Sequence, residues 1–210
     1  MDSKTERGFA IAPATVEVIP AAERRRAVAT LTLAFVTDPV KRWAWSDAHQ
    51  YTTYWPQIAE AFGGRAFDHG TAHGLADLAA IALWLPPGVG PDEEAFVGVL
   101  EESLDEQILE VFLGAGGFLE QMDRLHPSVD HWYLTLTGVD GIAQGRGLGS
   151  TILRHGLATC DRDGLPAYLE ATSPRSRDFY LRHGFEVVGV IQSGPSPPMW
   201  SMLREPVGAA

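Results

Sequence analysis

The sequence predicts a mixed α/β layer built around one central sheet. Three observations predict it. Segments with period-two alternation, such as TVEVIP (15–20) and HWYLTLTGV (131–139), recur among segments with helical spacing. From 131 onward the order is strand, helix, strand, helix, strand, strand. The composition, 45% hydrophobic and 20% charged over 210 residues, suits an ordinary globule with one proper core.

The elements follow in order. Residues 1–12 read as a loose tail. TVEVIP alternates as a short strand and ends at Pro20. Residues 21–35 have helical spacing, with Ala27, Leu31 and Ala34 on one face and Leu33 close by. Thr37-Asp38-Pro39 breaks that helix, because the residue before a proline avoids helical angles. A second helix is predicted over 48–62, stopping at Gly63-Gly64. RAFDH (65–69) and DLAAIALWL (77–85) are predicted as a hairpin joined by GTAHG, and Pro86-Pro87-Gly88 ends its second strand. Helices are predicted over 92–106 and 107–124, interrupted at Gly114, Gly116 and Gly117. After the strand at 131–139, a helix over 147–162 carries a core-facing stripe of Leu148, Ile152, Leu153, Leu157 and Cys160. PAYLEAT (166–172) reads as a strand, and RSRDFYLRHG (175–184) as a short helix stopped by Gly184. FEVVGVI (185–191) and PMWSMLR (198–204) are the last two strands. Residues 1–210 are expected to form a single domain.

Charge and cysteine use exclude several classes. A net charge of −11 offers no basic face for nucleic acid. It mildly favours cationic or neutral substrates, and it serves solubility equally well. One cysteine, Cys160, rules out an internal disulfide framework and fits a reducing compartment. MDSKTERGFA lacks the apolar core of a signal peptide, and no run of ~18 apolar residues is present to span a membrane. The expected location is the cytoplasm. His69-x-x-x-His73 has metal-like spacing only on a helix and falls between two predicted strands, so no metal is expected. Cys160 reads as core.

GVDGIAQGRGLGS (138–150) concentrates glycine before a helix, which lets backbone N–H groups approach something closely. A P-loop is excluded because no lysine follows the glycines. A dinucleotide fingerprint fits Gly145-Arg146-Gly147-Leu148-Gly149-Ser150 in outline, with Glu170 placed as a ribose-binding acid. Against it, five residues separate Val139 from Gly145, and only short elements follow Glu170. The third reading is a pyrophosphate cradle, with the dipole of the following helix adding partial positive charge. Arg146 either adds a direct charge or is simply solvated.

Read as Gln144-x-x-Gly147-x-Gly149, the loop resembles the acyl-CoA signature of the GCN5-related N-acetyltransferase (GNAT) family. The stretch from Trp132 to about Val190 carries that family's order: strand, loop, helix, strand, short helix with tyrosine, then Gly-Phe opening a strand. TGVDGIAQGRGLGS, LPAYLEATSPRSRDFYLRHGF and, more weakly, AFVTDP look closest to the puromycin N-acetyltransferase type. The resemblance implies a GNAT-like mixed sheet of about six to seven strands flanked by helices, with residues 131–191 as the acyl-CoA-binding core. Two departures are Gly141, where the family usually has proline, and Ser176, where it often has a cofactor-touching asparagine.

The resemblance further implies acetyl-CoA as co-substrate and direct attack by a primary amine of a small molecule. Gln144, Gly145, Arg146, Gly147, Leu148, Gly149 and Ser150 are expected to hold the pyrophosphate. Thr137 and Gly138 are expected to line the thioester channel, with the Val139 N–H receiving the oxyanion and Ser176 near the pantetheine arm. Tyr180, four residues before Gly184-Phe185, matches the family's acid, which protonates the departing thiolate; without the resemblance it reads as a packed tyrosine. Glu170 is the candidate base or amine anchor, or else a carboxylate paired with Arg175 or Arg177. Asp38 and Trp43 are candidates for the acceptor site, though Asp38-Pro39 equally reads as a helix stop and Trp43, Trp45 and Trp55 as core. A homodimer is compatible with such a domain. A non-catalytic acyl-CoA sensor and a nicotinamide dehydrogenase are the rival functions. The acceptor's identity, from aminonucleoside antibiotic to peptide N-terminus, stays open.

Overall fold

The computed structural model describes residues 15–208; the tail expected at 1–12 lies outside them. The strands are β1 (Val16–Val18), β2 (Ala72–Leu75), β3 (Ala80–Leu85), β4 (Trp132–Val139), β5 (Ala167–Ala171), β6 (Glu186–Ile191) and β7 (Met199–Arg204). They form one seven-stranded sheet in the order β1-β2-β3-β4-β5-β7-β6. Every neighbouring pair is antiparallel except β4 and β5. The helices are α1 (Arg24–Ala34), α2 (Pro39–Ala44), α3 (Ala48–Gly63), α4 (Arg65–Asp68), α5 (Glu93–Ser103), α6 (Glu106–Leu113), α7 (Phe118–Leu125), α8 (Leu148–Asp163) and α9 (Pro174–Leu181). Among the described residues no helix is long and apolar enough to cross a membrane.

Strand β3 shows why the sheet sits between two helical layers. All six of its residues are buried. By the period of two, Ile81, Leu83 and Leu85 join a core shared with residues of α1–α3 and α5–α7, while Ala80, Ala82 and Trp84 join a second core shared with α8 and α9. Helix α8 comes down on this second face through Gly156. A Cβ there would overlap the Trp84 indole, so only glycine permits the contact. The predicted stripe of α8 is observed, with Ile152, Leu153, Leu157 and Cys160 buried. Cys160 is a core thiol, its pKa pushed up to about 12 by burial.

The first hairpin differs from its prediction. RAFDH is not a strand; Arg65–Asp68 is the short helix α4. Gly64 keeps helical angles (φ −62°, ψ −29°), so the glycine pair bends the chain into another turn of helix and does not release it into a strand. The chain reverses at Gly70 (φ +67°), and Ala72–Leu75, whose first three residues read from sequence as part of the turn GTAHG, is the strand that pairs with β3. The true turn lies at 76–79, where Asp77 and Leu78 take positive φ (57° and 60°). His69 therefore follows a helix, and His73 lies on a strand. The predicted break between 107 and 124 is real: Gly114 closes α6 and Gly117 opens α7.

The dinucleotide reading requires an open, mostly parallel sheet. Here only β4 and β5 run parallel, so that reading is set aside.

Candidate active site

The one parallel contact is also brief. β4 and β5 pair at Trp132 with Ala167 and at Tyr133 with Tyr168, and at no other described residues. Beyond that point β4 pairs only with β3, and β5 only with β7. The strands diverge, and backbone groups along the gap are left without a sheet partner. Their direction follows from the alternation of an antiparallel ladder. The Asp140 N–H donates to the Ala79 carbonyl at 2.9 Å, so the N–H groups of Thr137 and Val139, at odd offsets, turn away from β3 toward the gap. The Val139 carbonyl confirms the direction, since it accepts from Gln144 Nε2 at 3.1 Å.

A cavity of about 590 Å³ runs through this gap. At one end stands the glycine loop. Gly145 (φ +77°) and Gly147 (φ +81°) are left-handed, a region that costs other residues roughly 1–2 kcal/mol. A Cβ on either would meet no protein atom within 4 Å, so both face open space. Gly147 caps α8 without a side-chain hydrogen bond, which leaves the N–H groups of Leu148, Gly149 and Ser150 as the helix's unpaired donors. The Thr151 N–H is already bonded, to the Gly147 carbonyl. Three aligned donors, the dipole of a sixteen-residue helix and the cavity-lining Arg175 and Arg182 suit a pyrophosphate. Gln144 fixes the loop. Besides its bond to Val139, its Oε1 accepts from Arg175 Nη2 at 3.1 Å.

Thr137, Gly138, Val139, Gln144, Gly145, Gly147, Leu148, Gly149, Ser150 and Ser176 all line the cavity. Arg146 is exposed and is not among the lining residues. Ser176 lines the wall, but its hydroxyl is engaged in the cap of α9. It accepts from the Ser173 N–H at 3.1 Å and donates to the Ser173 carbonyl at 3.0 Å.

Beside the gap lie two protonic side chains. Tyr180, on α9, is 7% exposed, its ring held edge-on between Phe179 and Phe185. Tyr180 lines the cavity, its hydroxyl has no hydrogen-bond partner among the described residues, and burial pushes its pKa up. Glu170, on β5, turns into the cavity on the same face as Tyr168. Its Oε2 accepts from the Tyr133 hydroxyl at 2.6 Å, while Oε1 is buried without a partner. Burial pushes its pKa up to about 7, against the pull of the Tyr133 and Tyr168 hydroxyls and of the Lys41 charge. It pairs with neither arginine considered from sequence: Arg175 serves Gln144, and Arg177 binds Asp178 at 2.8 Å.

The far end of the cavity is walled by α2, α3 and α5–α7. Asp38 lines it but is fully employed. Its Oδ1 accepts from the Val40 and Lys41 N–H groups at 3.1 Å, and its Oδ2 from the Thr172 hydroxyl. Asp38-Pro39 thus starts helix α2, with proline at its first position, where no N–H is needed. Trp43 does not line the cavity. Helix α2 turns it onto Phe112 and Phe118, so it backs the wall, whose face is made by Trp45 and Trp55. Sequence reasoning missed Lys41 and Tyr133. Lys41 lines the cavity with its ammonium 5.0 Å from the centre of the Trp55 ring. Partial burial lowers its pKa, against the charges of Asp38 and Glu170. Period two in YLTLT would group Tyr133 with Thr135 and Thr137, but β4 carries an extra residue opposite Leu83 and Trp84, which puts Tyr133 on the same core face as Leu136, so no simple alternation marks the tyrosine.

The model of the acetyltransferase (GNAT) family matches residues 39–185, more than half of the chain. An uncharacterized N-acetyltransferase of Schizosaccharomyces pombe is 28% identical over 204 residues, 90% of this chain and 82% of that protein. The crystal structure of "histone acetyltransferase HPA2 and related acetyltransferase" from Corynebacterium glutamicum is similar with a TM-score of 0.63 and 26% identity, covering 95% of this chain and 99% of that one. The polyamine N-acetyltransferase of Drosophila melanogaster shares the fold at 13% identity, with a TM-score of 0.54 over 92% of this chain and all of that one. In fold and in sequence, the chain belongs to the acetyltransferase (GNAT) family.

Proposed function

We propose that the protein, acting as one N-acetyltransferase domain, transfers the acetyl group of acetyl-CoA to the primary amine of a small molecule. Attack is direct, within a ternary complex. One observation carries the reading. A single cavity joins the unpaired donors of α8 to the buried carboxylate of Glu170, and it passes through the gap between β4 and β5.

In this reading the loop from Gln144 to Ser150 and Arg175 hold the pyrophosphate, and the pantetheine arm lies along the unpaired edge of β4. The Val139 N–H donates to the oxyanion. Glu170 takes the proton of the incoming ammonium. A carboxylate that titrates near neutrality is about half ionised at pH 7, and its ionised form takes that proton before attack and frees the nitrogen lone pair. Tyr180 stays protonated and donates to the sulfur as negative charge builds there. Glu170 takes one proton from the ammonium, the freed amine attacks, and the acetyl group leaves sulfur for nitrogen; Tyr180 gives its proton to the thiolate, and the second nitrogen proton, released as the amide forms, restores the phenol. The resemblance of TGVDGIAQGRGLGS and LPAYLEATSPRSRDFYLRHGF to puromycin N-acetyltransferases supports a place near that type. The test is thiol release from acetyl-CoA over a panel of amines. Amine-dependent release by wild type, lost in Glu170→Gln, is the expected result.

A further inference from the structure

The reaction half of the cavity also specifies its acceptor. We propose that the acceptor is a monoamine carried on an aromatic or branched apolar body, and that Lys41 excludes acceptors with a second cation. This rests on the acetyl-transfer reading above and narrows it. The wall beyond Glu170 is built from Trp45, Trp55, Phe62, Phe96, Phe112 and Phe118. Such a wall gains most from rings and branched chains, whose area it removes from water.

The charge inventory is narrower still. Among the described residues that line the cavity, the acids are Asp38 and Glu170, and the bases are Lys41, Arg175 and Arg182. Asp38 has both oxygens occupied, by two backbone N–H groups and the Thr172 hydroxyl. Glu170 Oε1 is therefore the one carboxylate oxygen buried without a partner. It can receive one ammonium, the group that reacts. A second ammonium or a guanidinium would find no counter-charge and would face the Lys41 ammonium, which is seated on the Trp55 ring. The bulk charge of −11 does not extend into this cavity, where bases outnumber acids. Agmatine and polyamines, which carry two or more cations, are thus disfavoured, although relatives of the same fold act on them.

The experiment compares 2-phenylethylamine with agmatine and putrescine on the full chain. It measures acetyl transfer, and it measures amine binding to the coenzyme A-loaded protein by calorimetry. Phenylethylamine is expected to lead both cations by about 100-fold in kcat/KM and in affinity, the scale set by an unpaired buried charge. Lys41→Met keeps the side-chain stem and should narrow that ratio by at least about tenfold by raising use of the dications. Lys41→Arg, which restores the charge, should restore the ratio. Equal or better use of agmatine or putrescine by wild type overturns the proposal, as does an unchanged ratio in folded Lys41→Met. Selective binding of phenylethylamine without transfer of acetyl to any amine would instead overturn the transfer reading and leave the cavity's preference standing.

Discussion

The Tyr133 hydroxyl donates to the Glu170 carboxylate at 2.6 Å, reaching from the last β4 residue that pairs with β5 to a β5 residue just past that pairing. The bond favours the ionised carboxylate, while burial opposes it, and the group settles at about 7. Tyr133→Phe removes the donor and leaves the ring. A hydrogen bond to a charged group is worth ~1.5–3 kcal/mol, so the acid limb of the kcat/KM profile should move up by about one to two pH units. An unmoved limb would place the titrating group elsewhere.

Glu170 also sets a stability dependence. Its carboxyl titrates at about 7 in the folded chain against 4.5 ordinarily, so the folded chain holds the proton more tightly. The contribution to stability is complete below about 4.5 and is lost as pH rises through about 7. Glu170→Gln has no charge to bury. Denaturant midpoints of wild type and variant should therefore diverge in the variant's favour between pH 5 and pH 8, while its turnover falls by ~10²–10⁴-fold.

Tyr180→Phe separates chemistry from packing. The hydroxyl has no protein partner, so its loss should leave stability and acetyl-CoA affinity nearly unchanged. Single-turnover transfer should fall by ~10²–10⁴-fold. Full-rate transfer would return Tyr180 to the packing class.

Gly147→Ala tests the cradle. No protein atom stands within 4 Å of the new Cβ, so the local cost is that of φ +81°, roughly 1–2 kcal/mol. Acetyl-CoA affinity should fall by at least about tenfold in a folded variant, measured by calorimetry. Unchanged affinity would sink the assignment of the loop.

Asp38→Ala removes a cap and the tie to Thr172. It should destabilise the chain by ~1–2 kcal/mol in denaturant unfolding, with little change in acetyl-CoA affinity.

The local signals that carry geometry were legible before the structure. The glycines before α8 announced a loop whose backbone N–H groups can approach a ligand closely, and the stripe from Leu148 to Cys160 announced the buried face of α8. What failed was local pattern outweighed by tertiary pairing. AHGL carries a turn-favouring glycine and adjoins another at Gly70, yet it becomes β2 because β3 offers it a ladder, while Ala66 and Phe67 find burial on a short helix. The acceptor end was hardest to read. Trp43 and Trp45 are two residues apart, and only the end of α2 decides that Trp45 lines the cavity while Trp43 packs on Phe112 and Phe118. Lys41 was overlooked beside Asp38 because a lysine on a helix ordinarily points to solvent. Its place over Trp55 depends on α3 packing against α2.

In the proposed reaction this cavity moves an acetyl group from sulfur to nitrogen. Mass spectrometry of the amine after incubation with acetyl-CoA and 2-phenylethylamine, with free thiol counted on the same sample, tests it most directly. N-acetylated amine and coenzyme A thiol are expected in equal amounts, both lost in Glu170→Gln. Acetyl-CoA bound with normal affinity but no acetylated product from any amine tested would contradict it.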